Sequence, residues 1–393
     1  MTKDESPISN LQSPLHVALG AYLLSGTPGY RQAGIHQYIR ALLEEFGQLR
    51  QHQYAFSALI SPTAQAEMPV ADAQSPMVIL PASRSTESPF DRIRVEQMET
   101  PRVLRTLRAG LYHGMAFAAP LRAPCPFVIT VFDLSFLTQP QTHKAFNRIY
   151  LSLITRWSVR HAARVIAISE WTKRDVVNLL GVDPARVDTI PLAAHRRYAP
   201  ASAGDIAEFR AEHHIGPHAI FFLGSLEPRK NLPTLIEAFQ RVLARVPDAE
   251  LIVGGSLAWK YEPIFARITA LGLKDKVRFI GRVAPEELPT WYCACAVFAY
   301  PSLYEGFGIP VLEAMACGAP VVTSNVTSLP EVVGDAGLMV APRDVGALTE
   351  ALTHVLTNEP ARSIMREQSL LRAGQFSWAR TAQMTLATYA CIV

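Results

Sequence analysis

Short runs of apolar residues alternate with amphipathic helical patterns along almost the whole chain of 393 residues. This alternation is typical of a mostly parallel β-sheet whose strands are joined by covering helices. The predicted strands of the first half are residues 16–24, 77–80, 127–132 and 165–168, and those of the second half are residues 219–223, 251–254, 277–280, 297–300 and 320–323. The sequence therefore predicts an α/β protein with doubly wound parallel sheets.

The length exceeds that of one average domain, so we expect at least two. Residues 191–217 interrupt the alternation with His, Arg, Ala and Pro, after which strand and helix signals begin again. We predict two Rossmann-like domains, residues 1–200 and 201–376, followed by residues 377–393 with an amphipathic helix at 377–390.

Two local patterns within the first domain have distinct expectations. Residues 34–49 place apolar side chains at helical spacing and predict an amphipathic helix. Residues 61–92 are rich in Pro, Ser, Ala and Gln, which favours a variable loop region around one short strand.

Charge and composition exclude several classes of protein. The chain has 37 basic and 34 acidic residues, which does not favour nucleic-acid binding but permits contact with an anionic membrane surface. The N-terminus is polar and acidic, unlike a signal peptide, and no apolar run approaches the ~20 residues that span a bilayer. We expect a cytoplasmic protein, with peripheral contact at the inner face of the membrane left open.

The cysteines and histidines favour neither disulfides nor a metal. Five cysteines are an odd number for a disulfide framework, and the isolated Cys293-x-Cys295 is better interpreted as buried thiols. The eleven histidines form no H-E-x-x-H motif and no ligand cluster. We predict no bound metal and no cofactor.

The strongest local signal is residues 301–318, PSLYEGFGIPVLEAMACG. A strand should end near Pro301, and a helix should begin about residue 309, because proline suits the first helical turn. The amides of residues 306–308 would then lie at a helix N-terminus, which favours a phosphate. Glu305 and Glu313 would accept hydrogen bonds from hydroxyls on either side of a diphosphate. The bare spacing of two glutamates is common, so the prediction depends on the order of strand, Gly-Phe-Gly turn and helix.

The second loop is residues 222–231, FLGSLEPRKN, between a predicted strand and a predicted helix at 232–244. Gly224 permits close backbone approach, and Arg229 and Lys230 follow at the same edge of the sheet. Paired cations there would stabilise the charge that develops on a departing diphosphate. An Arg-Lys pair in isolation is more often a solvated loop.

Weaker candidates follow other strands. Gly29-x4-Gly34 has the glycine spacing of a P-loop without its Lys-Ser or Lys-Thr, and Arg31 is better interpreted as a solvated charge. Asp133 ends an otherwise apolar strand, which favours a cleft position. Ser169 either faces the site or caps the next helix. Gly254 and the Arg282-Val283 pair could border a nucleotide base or serve capping and packing.

Taken in this order, the loops resemble those of glycosyltransferase family 4, whose members are retaining enzymes of the GT-B fold. The segment 305–313, EGFGIPVLE, looks like the family's E-x7-E motif, and residues 226–231, LEPRKN, look like its donor-phosphate loop. Residues 328–334 and 376–378 are also similar to family features. The resemblance implies two Rossmann-like domains that face each other across a cleft, with the last helix crossing back onto the first domain.

The same resemblance implies roles for individual residues. Arg229 and Lys230 would bind the diphosphate, Glu305 the donor sugar and Glu313 the ribose. The predicted catalytic residues are Arg229, Lys230, Glu305 and Asp133. The predicted donor-binding residues are Gly34, Gly224, Ser225, Gly254, Arg282, Val283, Tyr304, Gly306, Phe307, Gly308, Leu312 and Glu313.

The expected activity is transfer of a hexose, mannose or a related sugar, from a nucleoside-diphosphate sugar to a hydroxyl of a glycan or lipid-linked saccharide. One departure from the family is Phe132, which stands where many relatives have a histidine that contacts the donor sugar. A sugar-nucleotide binding protein that has lost catalysis therefore remains an alternative, as do a GT-B-like epimerase and a phosphorylase. The sequence leaves the nucleotide, the acceptor and the oligomeric state open.

Overall fold

The computed structural model describes residues 14–26, 34–49, 53–67, 75–139, 145–257 and 261–392. The described strands form two parallel sheets, one of seven strands and one of six. This architecture confirms the α/β class and the doubly wound topology that the alternating pattern predicts.

The first sheet has the strand order β3-β2-β1-β4-β5-β6-β7. Its strands are β1 (Leu15–Ala21), β2 (Tyr54–Ile60), β3 (Met77–Pro81), β4 (Leu111–Gly114), β5 (Phe127–Val131), β6 (Arg164–Ala167) and β7 (Val187–Thr189).

The second sheet has the strand order β10-β9-β8-β11-β12-β13. Its strands are β8 (Ala219–Leu223), β9 (Glu250–Gly254), β10 (Val277–Gly281), β11 (Val297–Tyr300), β12 (Val321–Ser324) and β13 (Leu338–Val340). The strand order reverses direction between β8 and β11, the position at which open α/β sheets bind ligands.

Helices follow most of the strands, as parallel pairing requires a crossover connection. They are α1 (Gly34–Gly47), α2 (Pro89–Arg94), α3 (Thr100–Thr106), α4 (Ser135–Thr138), α5 (Ala145–His161), α6 (Glu170–Leu180), α7 (Ala203–Glu212), α8 (Leu232–Leu243), α9 (Glu262–Ala270), α10 (Leu288–Ala294), α11 (Ile309–Ala316), α12 (Leu329–Val333), α13 (Val345–Thr357), α14 (Glu359–Ala373) and α15 (Trp378–Ala390). A π-helical stretch, Val95–Glu99, joins α2 to α3.

The chain forms two compact units. The first comprises residues 1–130, 161–164 and 389–393, and the second comprises residues 131–160 and 165–388. Of the predicted catalytic and donor-binding residues, all except Gly34 belong to the second unit. The predicted domain boundaries at residues 200 and 376 stay a prediction.

Burial on both faces explains the nearly continuous apolar strands. In the second sheet, Ile220 and Phe222 of β8 belong to one buried cluster with Leu235, Ile236 and Phe239 of α8. Such strands have no solvated face, so their sequences do not alternate between polar and apolar residues. In the first unit, the predicted apolar face of α1 is likewise buried.

The predicted strands are confirmed to within a few residues at their ends, and the helices predicted at 34–49, 232–244 and 377–390 begin and end within two residues of their observed bounds. Four strands were missed: β2, β4, β7 and β13. The region 61–92 contains the predicted short strand as β3, and also the 3₁₀ turn Pro62–Glu67 and the start of α2.

Two buried residues of the first unit hold the end of the chain. The hydroxyl of Tyr389, in the last turn of α15, lies 2.6 Å from Nδ1 of His113, whose Nε2 lies 2.8 Å from the Thr130 hydroxyl. Burial lowers the pKa of His113 to about 3, so the imidazole is neutral. Within the described ranges, no helix combines the length and apolar character that crossing a bilayer requires.

Candidate active site

The two loops with the strongest sequence signals follow neighbouring strands. β8 pairs in parallel with β11, with Phe221 opposite Phe298, so both strands end at the same edge of the sheet. The loop after β8 contains residues 224–231, and the loop after β11 contains residues 301–308. The candidate site therefore lies at the carboxyl edge where the strand order reverses.

The loop after β8 is short and held by backbone contacts. A 3₁₀ turn, Pro228–Lys230, delivers the two cations, and Asn231 at the start of α8 adopts the left-handed region with φ +59°. The Asn231 amide Nδ2 donates to the carbonyl of Pro301 at 2.9 Å, and the backbone amide of Leu303 donates to the carbonyl of Arg229 at 2.9 Å. These bonds fasten the loop of residues 224–231, called the cation loop below, to the loop of residues 301–308, called the glycine loop.

The predicted cations meet the first glutamate of the glycine loop. Lys230 Nζ donates to Glu305 Oε1 at 2.7 Å, and Arg229 Nη1 lies 2.9 Å from Glu305 Oε2. Arg229 also pairs with Glu227 at 2.7 Å, and Lys230 also donates to the hydroxyl of Tyr300. Two cations and two carboxylates thus form one compact cluster.

Lys230 and Glu305, at the centre of the cluster, are removed from solvent, so their ionisation depends on the neighbouring charges. Lys230 is 8% exposed and Glu305 is 7% exposed. Burial opposes ionisation of Glu305, but Arg229 and Lys230 outweigh it and lower the pKa of Glu305 to about 2. Burial and the neighbouring Arg229 lower the pKa of Lys230 despite its bond to Glu305. A further negative group would therefore stabilise the charged form of Lys230.

The glycine loop leads into α11 as predicted. Gly308 is the N-terminal cap of α11 and has φ +99°, which favours glycine. In the described part of the chain, the backbone amides of Gly306, Phe307 and Gly308 have no hydrogen-bond partner. The Phe307 ring is buried against that of Phe376, and Leu312 is buried within α11. Amides without partners at a helix N-terminus favour an anion.

The second glutamate of the motif has a different environment. Glu313 lies inside α11, 3% exposed, and accepts a hydrogen bond from the hydroxyl of Tyr292 at 3.2 Å. Burial raises the pKa of Glu313 to about 7, although Tyr292 and Tyr198 oppose the rise. This carboxyl group can exchange between its neutral and charged forms near neutral pH.

Asp133 lies next to the glycine loop. A Cβ placed on Gly306 would lie 2.1 Å from the carbonyl oxygen of Phe132 and 3.0 Å from Cβ of Asp133, so only glycine fits there. Asp133 Oδ1 accepts from the amide of Ser135 at 2.9 Å. The buried Tyr304 donates from its hydroxyl to Asp175 at 2.8 Å. The structure thus brings Asp133 and Tyr304 to the site.

The ends of β9 and β10 lie beside the cation loop. Gly224 donates from its amide to the carbonyl of Gly254 at 3.0 Å. The Val283 side chain would lie 3.1 Å from a Cβ on Gly254. Val283 is buried and Arg282 exposed, while Ser225 is half-buried.

Gly34 is the first residue of α1 and belongs to the first unit, whereas the other predicted donor-binding residues belong to the second. Arg31 and Gly29 lie outside the described residues. No placement of Gly34 against the donor follows, and its role stays a prediction.

Several residues of the site were not predicted from the sequence. Glu227 and Tyr300 contact the two cations, and Tyr292 contacts Glu313. Glu227 lies two residues before Arg229, and Tyr300 ends a predicted strand directly before the loop of residues 301–308. Their closeness in sequence to the predicted site residues could have indicated both. Tyr292 lies 21 residues from Glu313 and had no comparable signal.

Among the residues that the structure describes, no three His, Cys, Asp or Glu side chains come together in a way that could hold a metal ion. Cys293, Cys295 and Cys317 are buried free thiols, as the sequence predicts for the first two, and Cys391 is an exposed one.

Two family models match separate parts of the chain. Residues 33–193 match the glycosyl transferase 4-like domain, and residues 205–371 match glycosyl transferases group 1. The two ranges together cover most of the chain and include every predicted catalytic and donor-binding residue.

Individual relatives agree with these matches. The chain is 34% identical over 291 residues to O-antigen chain mannosyltransferase B of Escherichia coli, covering 73% of this chain and 75% of that protein. It is 31% identical over 249 residues to the serotype-specific mannosyltransferase WbdA of Escherichia coli, covering 61% of this chain. The match spans only 30% of the length of WbdA.

A solved structure shares the fold over nearly the full length. The crystal structure of HepE from Anabaena in complex with UDP and glucose matches with a TM-score of 0.72 and 19% identity, over 96% of this chain and 100% of that chain. At this identity the likeness concerns the fold.

Proposed function

Because the chain belongs to the family 4-like glycosyltransferases of the GT-B fold, we propose that it is a retaining, metal-independent hexosyltransferase. The donor is a nucleoside-diphosphate sugar, and the acceptor is a hydroxyl of a glycan or lipid-linked saccharide. Mannose is the favoured hexose, since the relative with 34% identity is a mannosyltransferase.

The observation that carries this proposal is the cluster of Arg229 with the buried Lys230 and Glu305, beside three amides that have no partner among the described residues. Arg229 and Lys230 place positive charge where the loops after β8 and β11 meet, and the amides of residues 306–308 add donors at a helix N-terminus. Preorganised donors of this kind stabilise charge on a departing diphosphate more than they stabilise the ground state.

In the proposed reaction, the acceptor oxygen attacks the anomeric carbon from the face that the diphosphate leaves. The bond from the anomeric carbon to the diphosphate oxygen breaks, and its electron pair stays with the leaving group. An oxygen of that leaving group takes the proton of the acceptor hydroxyl. Arg229 and Lys230 stabilise the negative charge that develops, so the products are a glycoside of retained configuration and a nucleoside diphosphate.

The glutamates have separate roles in this proposal. Both oxygens of Glu305 already bind cations, so its carboxylate holds Arg229 and Lys230 in place and contacts the donor sugar through its remaining lone pairs. Glu313 accepts hydrogen bonds from the ribose. Asp133, two residues after β5 and next to Gly306, is assigned to the acceptor in this proposal.

The test is an enzyme assay with the purified chain. GDP-mannose, UDP-glucose, ADP-glucose and dTDP-glucose are each incubated with mannose-terminated oligosaccharide acceptors, and nucleotide release and product formation are measured. We expect one donor to be consumed with an acceptor, an α-linked product from an α-linked donor by NMR, and full activity in EDTA. Binding without turnover would favour the non-catalytic alternative. A protein that shows no binding and no turnover with any of these donors would contradict the proposal.

Peripheral membrane contact is part of the proposal and is supported by one surface. Phe90 and Met98 are 68% and 54% exposed on the continuous helical segment 89–106. Arg94 and Arg102 are also exposed, so that residues 90, 94, 98 and 102 follow one another at intervals of four. Apolar side chains flanked by arginines suit an anionic interface. Co-sedimentation with vesicles that contain phosphatidylglycerol, but not with phosphatidylcholine vesicles, is the expected result.

A further inference from the structure

The glycine loop is held by hydroxyl groups on both sides. The Ser169 hydroxyl, at the start of α6, donates to the carbonyl oxygen of Gly306 at 2.7 Å. The Ser328 hydroxyl, at the start of α12, donates to the carbonyl oxygen of Glu305 at 2.9 Å. Both serines are buried, with exposures of 1% and 0%. Two consecutive peptide planes therefore each have a fixed carbonyl.

A fixed carbonyl also fixes the amide of the same peptide plane. In a trans peptide the N–H points opposite to the C=O. The bond from Ser328 therefore turns the Gly306 amide away from α12, and the bond from Ser169 turns the Phe307 amide away from α6. Neither amide has a hydrogen-bond partner among the described residues.

Capping alone does not explain where these hydroxyls point. Ser328 occupies the N-cap position of α12, but its side chain makes no capping bond and donates to Glu305 instead. Ser169 does cap α6 by accepting from the amide of Thr172, and its hydroxyl lies nearer to the Gly306 carbonyl, at 2.7 Å, than to the Thr172 hydroxyl, at 3.0 Å. The hydroxyls are thus directed at the glycine loop.

The backbone on either side of the glycine loop also restricts its conformation. Thr327 has φ +56°, an uncommon conformation for a β-branched residue, and its hydroxyl accepts from the amide of Glu305 at 3.1 Å. On the other side, Gly306 approaches the carbonyl of Phe132 so closely that a Cβ would lie 2.1 Å from that oxygen. The Thr172 hydroxyl lies 3.1 Å from the same Phe132 carbonyl and 3.3 Å from the Gly306 carbonyl, where it is a longer contact than that of Ser169. The loop is therefore held rigidly from both sides.

We propose that Ser169 and Ser328 are positioning residues, which orient the amides of Phe307 and Gly306 to donate to oxygen atoms of the donor substrate. This inference rests on the proposed function, because it requires a bound sugar nucleotide. Neither serine touches the reacting atoms; each acts through one peptide plane. When the serine hydroxyl is removed, the peptide plane that it held can rotate. The amide of that plane then no longer points toward the donor in every molecule.

The test uses the one Gly-Phe dipeptide in the chain, Gly306-Phe307. Protein labelled with carbonyl-¹³C glycine and ¹⁵N phenylalanine gives a single HNCO signal, from this peptide plane. We expect GDP-mannose, or the sugar nucleotide found active, to shift the Phe307 amide resonance in the wild type. Ser169→Ala should shift the Gly306 carbonyl resonance without ligand, and should weaken donor affinity roughly tenfold by calorimetry. Ser328→Ala should weaken affinity by a similar factor.

Ser169→Ala also removes a helix cap, which needs its own control. Ser202 caps α7 by accepting from the amide of Asp205 and is exposed, so Ser202→Ala removes a cap elsewhere. This control should lose comparable thermal stability and keep wild-type affinity. A Ser169→Ala protein that keeps both the wild-type carbonyl resonance and the wild-type affinity would overturn the proposal, as would wild-type affinity in both serine variants. A wild-type protein that binds no sugar nucleotide would contradict the proposed function itself. The outcomes with the serine variants bear only on the roles of Ser169 and Ser328.

Discussion

The two glutamates of the glycine loop and α11 lie eight residues apart, are both buried, and have opposite surroundings. Glu305 contacts two cations at 2.7 and 2.9 Å. Glu313 contacts the phenol of Tyr292 at 3.2 Å, and the nearby Tyr198 also forms a hydrogen bond with it. One carboxylate is thus neutralised by two contacting cations, while the other accepts hydrogen bonds from neutral hydroxyls and is influenced less strongly by the charge of Arg197.

The difference appears in their ionisation. Despite burial, the cations lower the pKa of Glu305 to about 2, whereas burial raises the pKa of Glu313 to about 7. Glu305 is therefore a permanent anion that holds Arg229 and Lys230, and Glu313 changes its charge near neutral pH. Two residues of one type in one motif can thus carry different chemistry, because the neighbours decide which protonation state is stable.

The largest effect is expected from Glu305→Gln. The change leaves Lys230 buried without a carboxylate partner, so the free energy of unfolding at pH 7 should fall by about 3–5 kcal/mol. Because the pKa of Glu305 is lowered, its contribution is present above about pH 4.5 and is lost as the pH falls toward 2. Urea unfolding of variant and wild type should therefore converge in acid.

A surface ion pair supplies the control for this variant. Glu350 pairs with Arg245 at 2.8 Å, and their side chains are 71% and 52% exposed. Glu350→Gln should change stability little. An equal loss in both glutamate variants would contradict the assignment of Glu305 to a buried, energetically important cluster.

Lys230→Ala tests whether the charge of the same cluster serves catalysis. Losing one preorganised donor to developing charge typically costs ~10²–10³ in turnover, and we expect a fall in kcat of this size. Lys274→Ala, at an exposed position, is the matched control and should keep wild-type kcat. Wild-type turnover in Lys230→Ala would refute the proposed role.

Glu313→Gln should change the pH dependence of stability in the opposite sense from Glu305→Gln. The folded state binds the Glu313 proton more tightly than the unfolded state, so stability falls as the pH rises from about 4.5 to about 7. This fall in the free energy of unfolding, on the order of 3 kcal/mol between these two pH values, should disappear in the variant. Thermal unfolding between pH 4 and pH 8 measures it, and parallel curves for variant and wild type would contradict the raised pKa.

The smallest effect is expected from Tyr292→Phe. Its hydroxyl favours the charged form of Glu313, so its removal should raise the pKa of Glu313 further. The loss of one buried hydrogen bond should cost about 1 kcal/mol. The steep part of the stability curve should move to higher pH relative to the wild type, and an unmoved midpoint would show that Tyr292 does not control Glu313.

Sequence patterns located most of the strands because a buried parallel strand is a continuous apolar run. The runs at β5, β8 and β11 are of this type. The missed strands had weaker signals: β7 and β13 have only three residues each, and β4 contains His113, whose burial depends on partners far away in sequence. In β2, alanines lower the strand propensity. Short or mixed strands form because neighbouring strands supply their hydrogen bonds.

The sequence alone therefore determined the α/β class and the two loops with their cations, glycines and glutamates, because these features follow from local periodicity and spacing. Only the tertiary structure decided that Glu305 pairs with Lys230, 75 residues away, and that Ser169, 137 residues from Gly306, holds its carbonyl. It also decided the opposite ionisation of Glu305 and Glu313. Such contacts depend on strand order and burial, which bring together residues that local sequence patterns leave unrelated.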